Sequence, residues 1–537
     1  MRDDNRAPNK NYGSNAGMRE RILINTLSNY GKMLISIFVT IFLTRILFKG
    51  LSREEYGFWA LLWSIFGYSL LLDFGFGTAI QKHTSECSVS KDWNKYNRIV
   101  STVFFTYSVF ALFIVGFAVI LSYNLPHIFD FEAANLSYFR KVTLFFGIGS
   151  ALCFPFGFFA EVLRGLQRMH TRNLIQSTFI ILNFIGIALM IHFDLNLKGM
   201  VFVAMGTNLL SSLSMMYIVR RFIPTFRIHP SLYDSSLLRS VLGFSLFAYL
   251  ITFTNLIILK TDQMIISIFG SVALVAIYQI SIRLADTYQR FSAQFLDNLG
   301  PISATLFAAG DKSKMTRVLL QSNRLMGLIA SMLLIPLLVY VKPILNIWLD
   351  LDHSAGIIVA IILLLSMYIL LFFRSSSVYV LLMANHHKIL AIVACIEAAA
   401  NLGLSILLIR ILPDILAYFA IYIPDSEIIG VALGTFIPNF FLAVFFNIPL
   451  ACRFADISIG EYLKTAIGPT VIIASISAAF ALTLYHVNYP ASLFTVLAYI
   501  VLSIVVFMLL TWALGVRKQE RDRIKAYLIS RLSSKTS

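Results

Sequence analysis

Charged residues are scarce in this sequence: Asp, Glu, Lys and Arg make up 13% of its 537 residues, whereas soluble globular domains contain about 25%. Hydrophobic residues reach 58%, compared with about 45–50% in soluble domains. A soluble core of ordinary size cannot bury so much apolar surface, and disordered chains are poor in large apolar residues. The composition therefore predicts an integral membrane protein, whose apolar surface is covered by lipid.

Several chemical motifs are also missing. The four cysteines, Cys87, Cys153, Cys395 and Cys452, form no CxxC pair, so neither a disulfide framework nor a zinc site is expected. No GxxxxGK[ST] loop is present, which excludes ATP hydrolysis by that route. The first apolar run is too long for a signal peptide and no small-residue cleavage site follows it, so we interpret it as a retained helix. We expect no cofactor and no metal.

Apolar runs of about 20 residues, separated by charged residues, predict an all-α integral membrane protein with about fourteen transmembrane helices. The predicted spans are 24–47, 56–79, 99–122, 141–161, 173–193, 199–219, 240–268, 274–300, 318–341, 356–383, 389–410, 429–451, 465–486 and 492–514. The seventh run is unusually long, and the eighth is the least apolar of the set.

The net charge of +16 would suggest nucleic-acid binding in a soluble protein. Here the basic residues lie in short loops and tails, and no basic run is interleaved with aromatic residues in the manner of single-strand binders. When both ends of the chain are placed in the cytoplasm, most Lys and Arg residues fall on the cytoplasmic side, as the positive-inside rule requires. We therefore expect cytoplasmic termini and no nucleic-acid partner.

A weak internal repeat suggests how the spans are grouped. Leu51–Trp59 follows the first span and Phe269–Tyr278 follows the seventh, and each is a short turn followed by a small, an apolar and an aromatic residue. An offset of six helices predicts a parallel repeat of two pseudo-symmetric six-helix lobes. The predicted domains are a cytoplasmic tail (1–23), an N-terminal lobe (24–222), a cytoplasmic linker (223–239), a C-terminal lobe (240–451), two further helices (452–514) and a basic amphipathic tail (515–537) on the cytoplasmic leaflet.

The eighth span carries an unusual polar stripe. One face holds six polar residues at intervals of three or four positions: Gln279, Arg283, Asp286, Arg290, Gln294 and Asp297. Each charge at the bilayer centre costs about 2.5–3.5 kcal/mol, and the i,i+4 pair of Asp286 and Arg290 lowers that cost. Two interpretations remain open: a polar seam between helices, or the wall of a water-filled cavity, which the length of the stripe favours.

Polar groups also lie in the first and eleventh spans. The first span carries a second stripe: Asn25, Asn29, Lys32 and Ser36. The alternative without a functional role is that the Lys32 side chain extends to the inner membrane–water interface. In the eleventh span, Glu397 is either a proton-coupling residue or the partner of a basic neighbour such as Arg374. Pairing is the alternative that the sequence favours.

Further charges lie within other spans, among them two aspartates. Asp73 precedes Gly75 and Gly77, and two glycines permit close helix packing or a bend; Asp73 is either structural or faces a lumen. Lys260 and Asp262 are close enough in the sequence to form a local pair. The charges within the spans are positive in sum, and a mildly basic cavity suits an anionic cargo.

Four segments carry a family resemblance: Leu51–Gly57 (LSREEYG), Leu72–Ala79 (LDFGFGTA), Arg164–Arg168 (RGLQR), and Asp262 through Tyr278 to Leu284. In their order, and with the predicted number of helices, they resemble the polysaccharide flippase family. That family exports undecaprenyl-pyrophosphate-linked oligosaccharide units and shares a superfamily with the lipid II flippase and the MATE drug exporters. The resemblance extends over nearly the whole chain. At Ala276, family members often have Gly.

The resemblance implies two six-helix lobes around a central cavity that opens alternately to either side of the membrane. It also implies a cationic cavity for the pyrophosphate and the sugars, with Lys32, Arg283 and Arg290 as the leading candidates. The full set of expected cavity residues is Lys32, Gln279, Arg283, Arg290, Gln294 and Arg374. The expected ion-coupling or pairing residues are Asp73, Asp262, Asp286, Asp297 and Glu397.

The expected function is transfer of a lipid-linked oligosaccharide from the cytoplasmic to the outer leaflet of a bacterial inner membrane. The expected partners are this substrate, membrane lipids and the polysaccharide polymerase machinery; no enzymatic activity is expected. One alternative is a MATE-like ion-coupled exporter of small molecules, which would have about twelve helices and an acidic cavity. Another is a membrane polymerase or glycosyltransferase, which would need a long outer loop that this sequence lacks.

Overall fold

The computed structural model describes residues 15–129, 135–236, 246–293, 312–375, 377–378, 381 and 387–515, and all regular structure in these ranges is helical. The predicted stripe residues Gln294 and Asp297, the N-terminal residues 1–14 and the basic tail after Gly515 lie outside the described residues. The helices are α1 Asn15–Gly50, α2 Arg53–Gly67, α3 Phe76–Ser90, α4 Trp93–Ile128, α5 Leu136–Cys153, α6 Phe159–Gly165, α7 Met169–His192, α8 Asn196–Phe222, α9 Leu246–Phe269, α10 Val272–Ala293, α11 Lys312–Val339, α12 Val341–Leu349, α13 Ser354–Ile369, α14 His387–Tyr418, α15 Glu427–Leu442, α16 Ile448–Ala455, α17 Ile459–Tyr462, α18 Gly468–Val487 and α19 Leu493–Leu510.

The structure confirms an all-α membrane protein. Among the described residues, 11 helices are long and apolar enough to cross a membrane, and the number rises to 12 if the bent pair Arg53–Asp73 and Phe76–Ser90 counts as one span. The seventh and eighth predicted spans coincide with α9 and α10, which are not among these helices. The predicted number of fourteen therefore stays a prediction, and the two helices that would complete it carry Lys260, Asp262, Arg283, Asp286 and Arg290.

Local capping interactions set where several helices begin. Ser52 and Glu55 form a capping box at the start of α2, in which each side chain accepts a hydrogen bond from the backbone N–H of the other residue. Asp92 caps α4 by accepting a hydrogen bond from Lys95 N at 3.0 Å. These side chains satisfy N–H groups that have no partner within the helix.

A sharp bend separates α2 from α3. The axes change direction by 47°, after a 3₁₀ turn at Tyr68–Asp73. Phe74 and Gly75 both have positive φ, of 44° and 83°, a conformation that glycine adopts readily and phenylalanine does not. Asp73 accepts a hydrogen bond from Gly77 N at 3.1 Å and so stabilises the first turn of α3. The two glycines of this segment therefore accompany a bend, one of the two outcomes expected from the sequence.

The chain divides into two compact units. Unit 1 contains the described residues up to Glu55 together with Ile65–Tyr249, and unit 2 contains Tyr56–Ser64 together with the described residues from Leu250 onward. The core of unit 1 lies around the buried residues Tyr96 and Phe159, and the largest core of unit 2 lies around Tyr278 and Met326. The last two long helices, α18 and α19, pack within unit 2 against α11 and Tyr340.

The described part of the linker, up to residue 236, runs along α4 within unit 1. Asn97 on α4 donates to Thr225 O at 2.8 Å and accepts from Arg227 N at 3.2 Å. Asp234 N donates to Thr102 Oγ1 at 3.0 Å. Hydrogen bonds from Ser236, with a further contribution from Arg98, hold the pKa of Asp234 below its usual range.

Within the described part of unit 2, four π-helical turns interrupt or end the long helices. A π turn uses i→i+5 hydrogen bonds and accommodates an extra residue. These turns are Leu370–Ser375, Ala443–Asn447, Leu463–Ile467 and Thr511–Gly515.

The two repeat segments meet inside unit 2. Gly57 of the first segment packs directly against the backbone of Val272, close to Ala276 of the second segment. A Cβ atom placed on Gly57 would overlap the carbonyl oxygen of Val272. Glycine is therefore needed at position 57 because two backbones approach each other there.

Replacing this glycine should destabilise the protein. We expect Gly57→Ala to lower the melting temperature of the purified protein, because overpacking against a backbone atom costs about 1–3 kcal/mol and exceeds the gain of about 0.5–1 kcal/mol in helix propensity. Gly116→Ala in α4 is the matched control, since a Cβ there meets no atom within 4 Å. Equal melting temperatures for the two variants would contradict the close approach.

Candidate functional site

A cluster of cations lies along α9 and α10 of unit 2. Arg283, Asp286 and Arg290 follow one another on one stripe of α10, and Lys260 on α9 lies within electrostatic range of all three. Arg283, Asp286 and Lys260 are partly buried, whereas Arg290 is exposed. Three cations thus surround one carboxylate. We call these four residues the cationic cluster.

Two glutamines hold Arg283 in place. The side-chain amides of Gln263 on α9 and Gln279 on α10 form a hydrogen bond. When the Gln279 amide is turned so that its oxygen faces Arg283, Oε1 accepts from Arg283 Nε at 2.8 Å and from Nη2 at 3.1 Å. Gln279 Nε2 then faces Gln263, whose amide turns as well so that its oxygen accepts the hydrogen bond. These bonds fix the plane of the guanidinium group, and a planar fork of donors suits a phosphate or carboxylate ligand.

Asp262 lies one residue from Gln263 but in a different environment. Its side chain is 2% exposed. Its Oδ2 accepts hydrogen bonds from Tyr278 Oη at 2.6 Å and from Thr435 Oγ1 at 2.9 Å. Asn401 in turn donates to Thr435 Oγ1 at 2.9 Å. The Oδ1 atoms of Asp262 and Asn401 are both buried without a hydrogen-bond partner among the described residues, so each of these side chains keeps one unsatisfied oxygen acceptor.

The local pair expected between Lys260 and Asp262 is wrong. Asp262 bonds to Tyr278 and Thr435, while Lys260 interacts with Arg283, Asp286 and Arg290. The physical reason is helical geometry, because residues two positions apart point to opposite sides of a helix.

The α9–α10 pair therefore joins a cationic and an anionic site. Asp262 and Gln263 are consecutive on α9, and their partners Tyr278 and Gln279 are consecutive on α10. The Tyr278 side chain bonds to the buried carboxylate of Asp262. The Gln279 side chain, which contacts Gln263, also contacts Arg283. Any shift of α9 against α10 would disturb both sites at once.

Arg374 and Glu397 form a buried ion pair. Arg374 Nη1 lies 2.5 Å from Glu397 Oε1 and 3.1 Å from Asn439 Oδ1, and the two charged side chains are 13% and 6% exposed. Asn439 is itself anchored by donating to Ser366 O at 2.7 Å. In the structure Glu397 is therefore paired with Arg374, which is one of the two alternatives that the sequence left open.

In unit 1, Lys32 belongs to a polar seam between α1 and α7. Lys32 Nζ donates to Gln176 Oε1 at 2.5 Å. Asn173 on α7 donates to Asn29 Oδ1 at 2.6 Å and to Ser28 Oγ at 3.0 Å. Sequence reasoning found the stripe on α1 but missed Asn173 and Gln176, because the sequence does not show which helix faces α1.

Asp73 accepts a hydrogen bond from Tyr107 Oη in addition to the one from Gly77. Glu161 lies close by on α6 and bonds to Arg164 at 3.2 Å and to Arg172 at 3.4 Å. Tyr107, Glu161 and Arg172 were not among the residues predicted from the sequence. The sequence signals near this cluster were Asp73 with its segment Leu72–Ala79 and the motif Arg164–Arg168.

The family model described as "Polysaccharide biosynthesis protein" matches residues 42–352, more than half of the 537-residue chain. No curated protein matches the chain significantly.

Solved structures show the fold. "Lipid II flippase MurJ, inward closed conformation" has a TM-score of 0.65 at 12% identity and covers 91% of this chain and 98% of its own. An inward-facing multidrug resistance MATE family transporter of the MOP superfamily has a TM-score of 0.62 at 10% identity, covering 79% of this chain and 96% of its own. A MOP superfamily transporter from Pyrococcus furiosus, described as having a binding pocket of reverse polarity, has a TM-score of 0.55 at 10% identity and covers 80% and 96%. These chains are similar to the present one in fold.

The buried ion pair gives a stability test. Removing one partner leaves an uncompensated buried charge, so Glu397→Leu should destabilise the protein by about 3–5 kcal/mol. The double variant Arg374→Met, Glu397→Leu should recover most of that loss, because both charges are gone. Thermal melting of the purified variants measures both effects. A double variant no more stable than Glu397→Leu alone would contradict this interpretation.

Proposed function

Because the chain belongs to the polysaccharide biosynthesis protein family, we propose that it is a flippase for lipid-linked oligosaccharide repeat units. The proposed cargo is an undecaprenyl-pyrophosphate-linked oligosaccharide, moved by alternating access from the cytoplasmic to the outer leaflet of the bacterial inner membrane. Both chain ends then lie in the cytoplasm, and the polysaccharide polymerase machinery acts on the product. The chain is similar in fold to a lipid II flippase and to a multidrug resistance MATE family transporter.

The observation that carries this proposal is the cationic cluster. Lys260, Arg283 and Arg290 outnumber the single carboxylate of Asp286, although each intramembrane charge costs about 2.5–3.5 kcal/mol. An unbalanced positive charge in such a place is best explained by an anionic ligand that completes it. The pyrophosphate of a carrier lipid supplies that charge.

The three cations of the cluster have proposed roles. Arg283, held by Gln279, offers its remaining donors to a phosphate oxygen. Arg290, which is exposed, makes the first contact with the head group, and Lys260 adds charge from α9. Lys32 in unit 1 already donates to Gln176, so its role as a ligand requires that this bond exchange for a cargo oxygen. Polar and charged side chains of this kind replace the hydration of sugars and phosphate, which cannot cross hydrocarbon unaided.

Export of small organic cations is the competing function. The fold of the MATE transporter supports it, but the sign of the cluster does not, because three cations repel a cationic cargo. A membrane enzyme is not favoured, since the family and the structural neighbours named above are described as biosynthesis proteins, flippases and transporters.

Flipping of a labelled lipid-linked oligosaccharide in proteoliposomes tests the cargo site. We expect Arg283→Ala combined with Arg290→Ala to lower the initial rate at least tenfold, a loss of about 1.4 kcal/mol or more in transition-state stabilisation. Arg283→Lys should give an intermediate rate, because a lysine keeps the charge but loses the planar fork. Arg410→Gln is the matched control: this cation lies in a span of the same unit and stacks on Phe269. An unchanged flipping rate in the double alanine variant would contradict the assignment of the cargo site.

Asp262 is the proposed coupling residue. Its unsatisfied Oδ1, together with Asn401 Oδ1, offers oxygen ligands to a proton or a small cation such as Na⁺. Binding there would act on the cargo site through the paired hydrogen bonds of α9 and α10.

Ion gradients test this role. In proteoliposomes, an imposed Na⁺ or proton gradient should accelerate flipping by the unaltered protein, and Asp262→Asn should abolish the acceleration while leaving gradient-independent flipping measurable. Asp352→Asn, at an exposed carboxylate that pairs with Lys342, should respond like the unaltered protein. Full gradient dependence in Asp262→Asn would exclude Asp262 as the coupling residue.

A further inference from the structure

A deep apolar groove lies on unit 1 between α5 and α8. Its volume is about 500 Å³, and its walls include Phe145, Ile148 and Leu152 on α5, and Phe202 and Leu209 on α8. Phe202 is 80% exposed and Phe145 is 59% exposed. Small-molecule sites commonly have volumes of about 300–1,000 Å³, so the groove is large enough to hold a ligand.

Glycine keeps this groove open. Gly206 lines the groove, and a Cβ atom built on it meets no atom within 4 Å. Most helix positions would place a side chain in this space. A larger side chain at position 206 would therefore extend into the groove.

The length of the groove fits one leaflet of a bilayer. It follows α8 from Lys198 to Leu209, a distance of about 16 Å at 1.5 Å per residue. The hydrocarbon core of a bilayer is about 30 Å thick, so one leaflet occupies about half of that. A single extended acyl chain, anchored at the membrane surface, matches the length and the apolar character of the groove.

One end of the groove is positively charged. Lys198 is the only charged residue among those that line it, and its Nζ lies 5.1 Å from the centre of the Tyr138 ring. Tyr138 Oη accepts a hydrogen bond from Leu197 N at 2.8 Å, which leaves its own proton available to a second partner. An ammonium group and a phenol O–H group thus lie next to each other at this end of the groove.

We propose that this groove is a binding site for an anionic glycerophospholipid. One acyl chain lies along Gly206 and Phe202, and the phosphodiester binds Lys198 and the Tyr138 hydroxyl. A phosphodiester carries a single negative charge, which one lysine balances. A pyrophosphate carries more charge and calls for several cations, as in the cationic cluster of unit 2. The groove therefore binds a structural lipid of the membrane and is separate from the proposed cargo site.

Two variants test the acyl and head-group contacts separately. Gly206→Leu fills the groove, and Lys198→Gln removes its charge. Their matched controls are Gly116→Leu, at another glycine of unit 1 whose Cβ would meet no atom within 4 Å, and Lys141→Gln, at an exposed lysine of α5 outside the groove. Lys198→Arg keeps the charge and should behave like the unaltered protein.

The measurements are native mass spectrometry and thermal melting of the detergent-purified protein with added dioleoylphosphatidylglycerol. We expect the unaltered protein and both controls to retain one tightly bound phosphatidylglycerol and to melt at a higher temperature in its presence. Gly206→Leu and Lys198→Gln should each bind this lipid at least fivefold more weakly and lose most of the temperature shift. Dioleoylphosphatidylcholine, which has no net charge, should bind weakly to all variants.

Three results would overturn the proposal. Undiminished phosphatidylglycerol binding in Gly206→Leu would show that the lipid lies elsewhere. Equal affinity for phosphatidylcholine would remove the role of Lys198. If Gly206→Leu or Lys198→Gln lost binding of farnesyl pyrophosphate but kept binding of phosphatidylglycerol, the groove would be assigned to the carrier lipid instead. None of these results depends on whether the chain flips oligosaccharides, which the variants of Arg283 and Arg290 test independently.

Discussion

A charge in the interior of this protein persists only where other polar groups face it, because an isolated ion in a low-dielectric interior is too costly. Arg374 meets Glu397 and Asn439, and Asp262 meets Tyr278 and Thr435. The cationic cluster departs from this balance, since three cations share one carboxylate. Among the described residues, this excess of positive charge distinguishes the cluster from the two paired sites, and the proposed anionic cargo rests on it.

The α9–α10 pair carries a buried carboxylate and a cationic site on the same two helices. A buried carboxylate with a spare oxygen and an arginine held by an amide are connected through two hydrogen bonds that leave from consecutive residues on each helix. A transporter that exchanges an ion for a cargo needs the occupancy of one site to alter the other. The two adjacent hydrogen bonds between α9 and α10 can couple the carboxylate site to the arginine site, because displacement of either helix strains both bonds.

Much of the fold could be predicted from the sequence, because a bilayer leaves a simple signature of apolar runs and helical periodicity. The polar stripes on α1 and α10 followed from spacing alone, and the glycines after Asp73 left close packing and a bend as the two alternatives. Partners across the interior could not be predicted: Gln176 for Lys32, Tyr107 for Asp73 and Thr435 for Asp262 come from helices distant in the sequence. The pair expected between Lys260 and Asp262 is wrong because side chains two positions apart point to opposite sides of a helix, although the residues are close in the sequence.

The π-helical turns of unit 2 have a consequence for how such a chain changes length in evolution. Each turn contains an inserted residue relative to an α-helix, and removal of one residue from Ala443–Asn447 would restore ordinary α-helical bonding there. In an uninterrupted helix, the same deletion would rotate every later side chain by about 100° and misplace the following segment. At a π turn, the local change in pitch absorbs part of that rotation. These turns are therefore the places where descendants of this sequence can lose a residue from a membrane helix and still cross the bilayer.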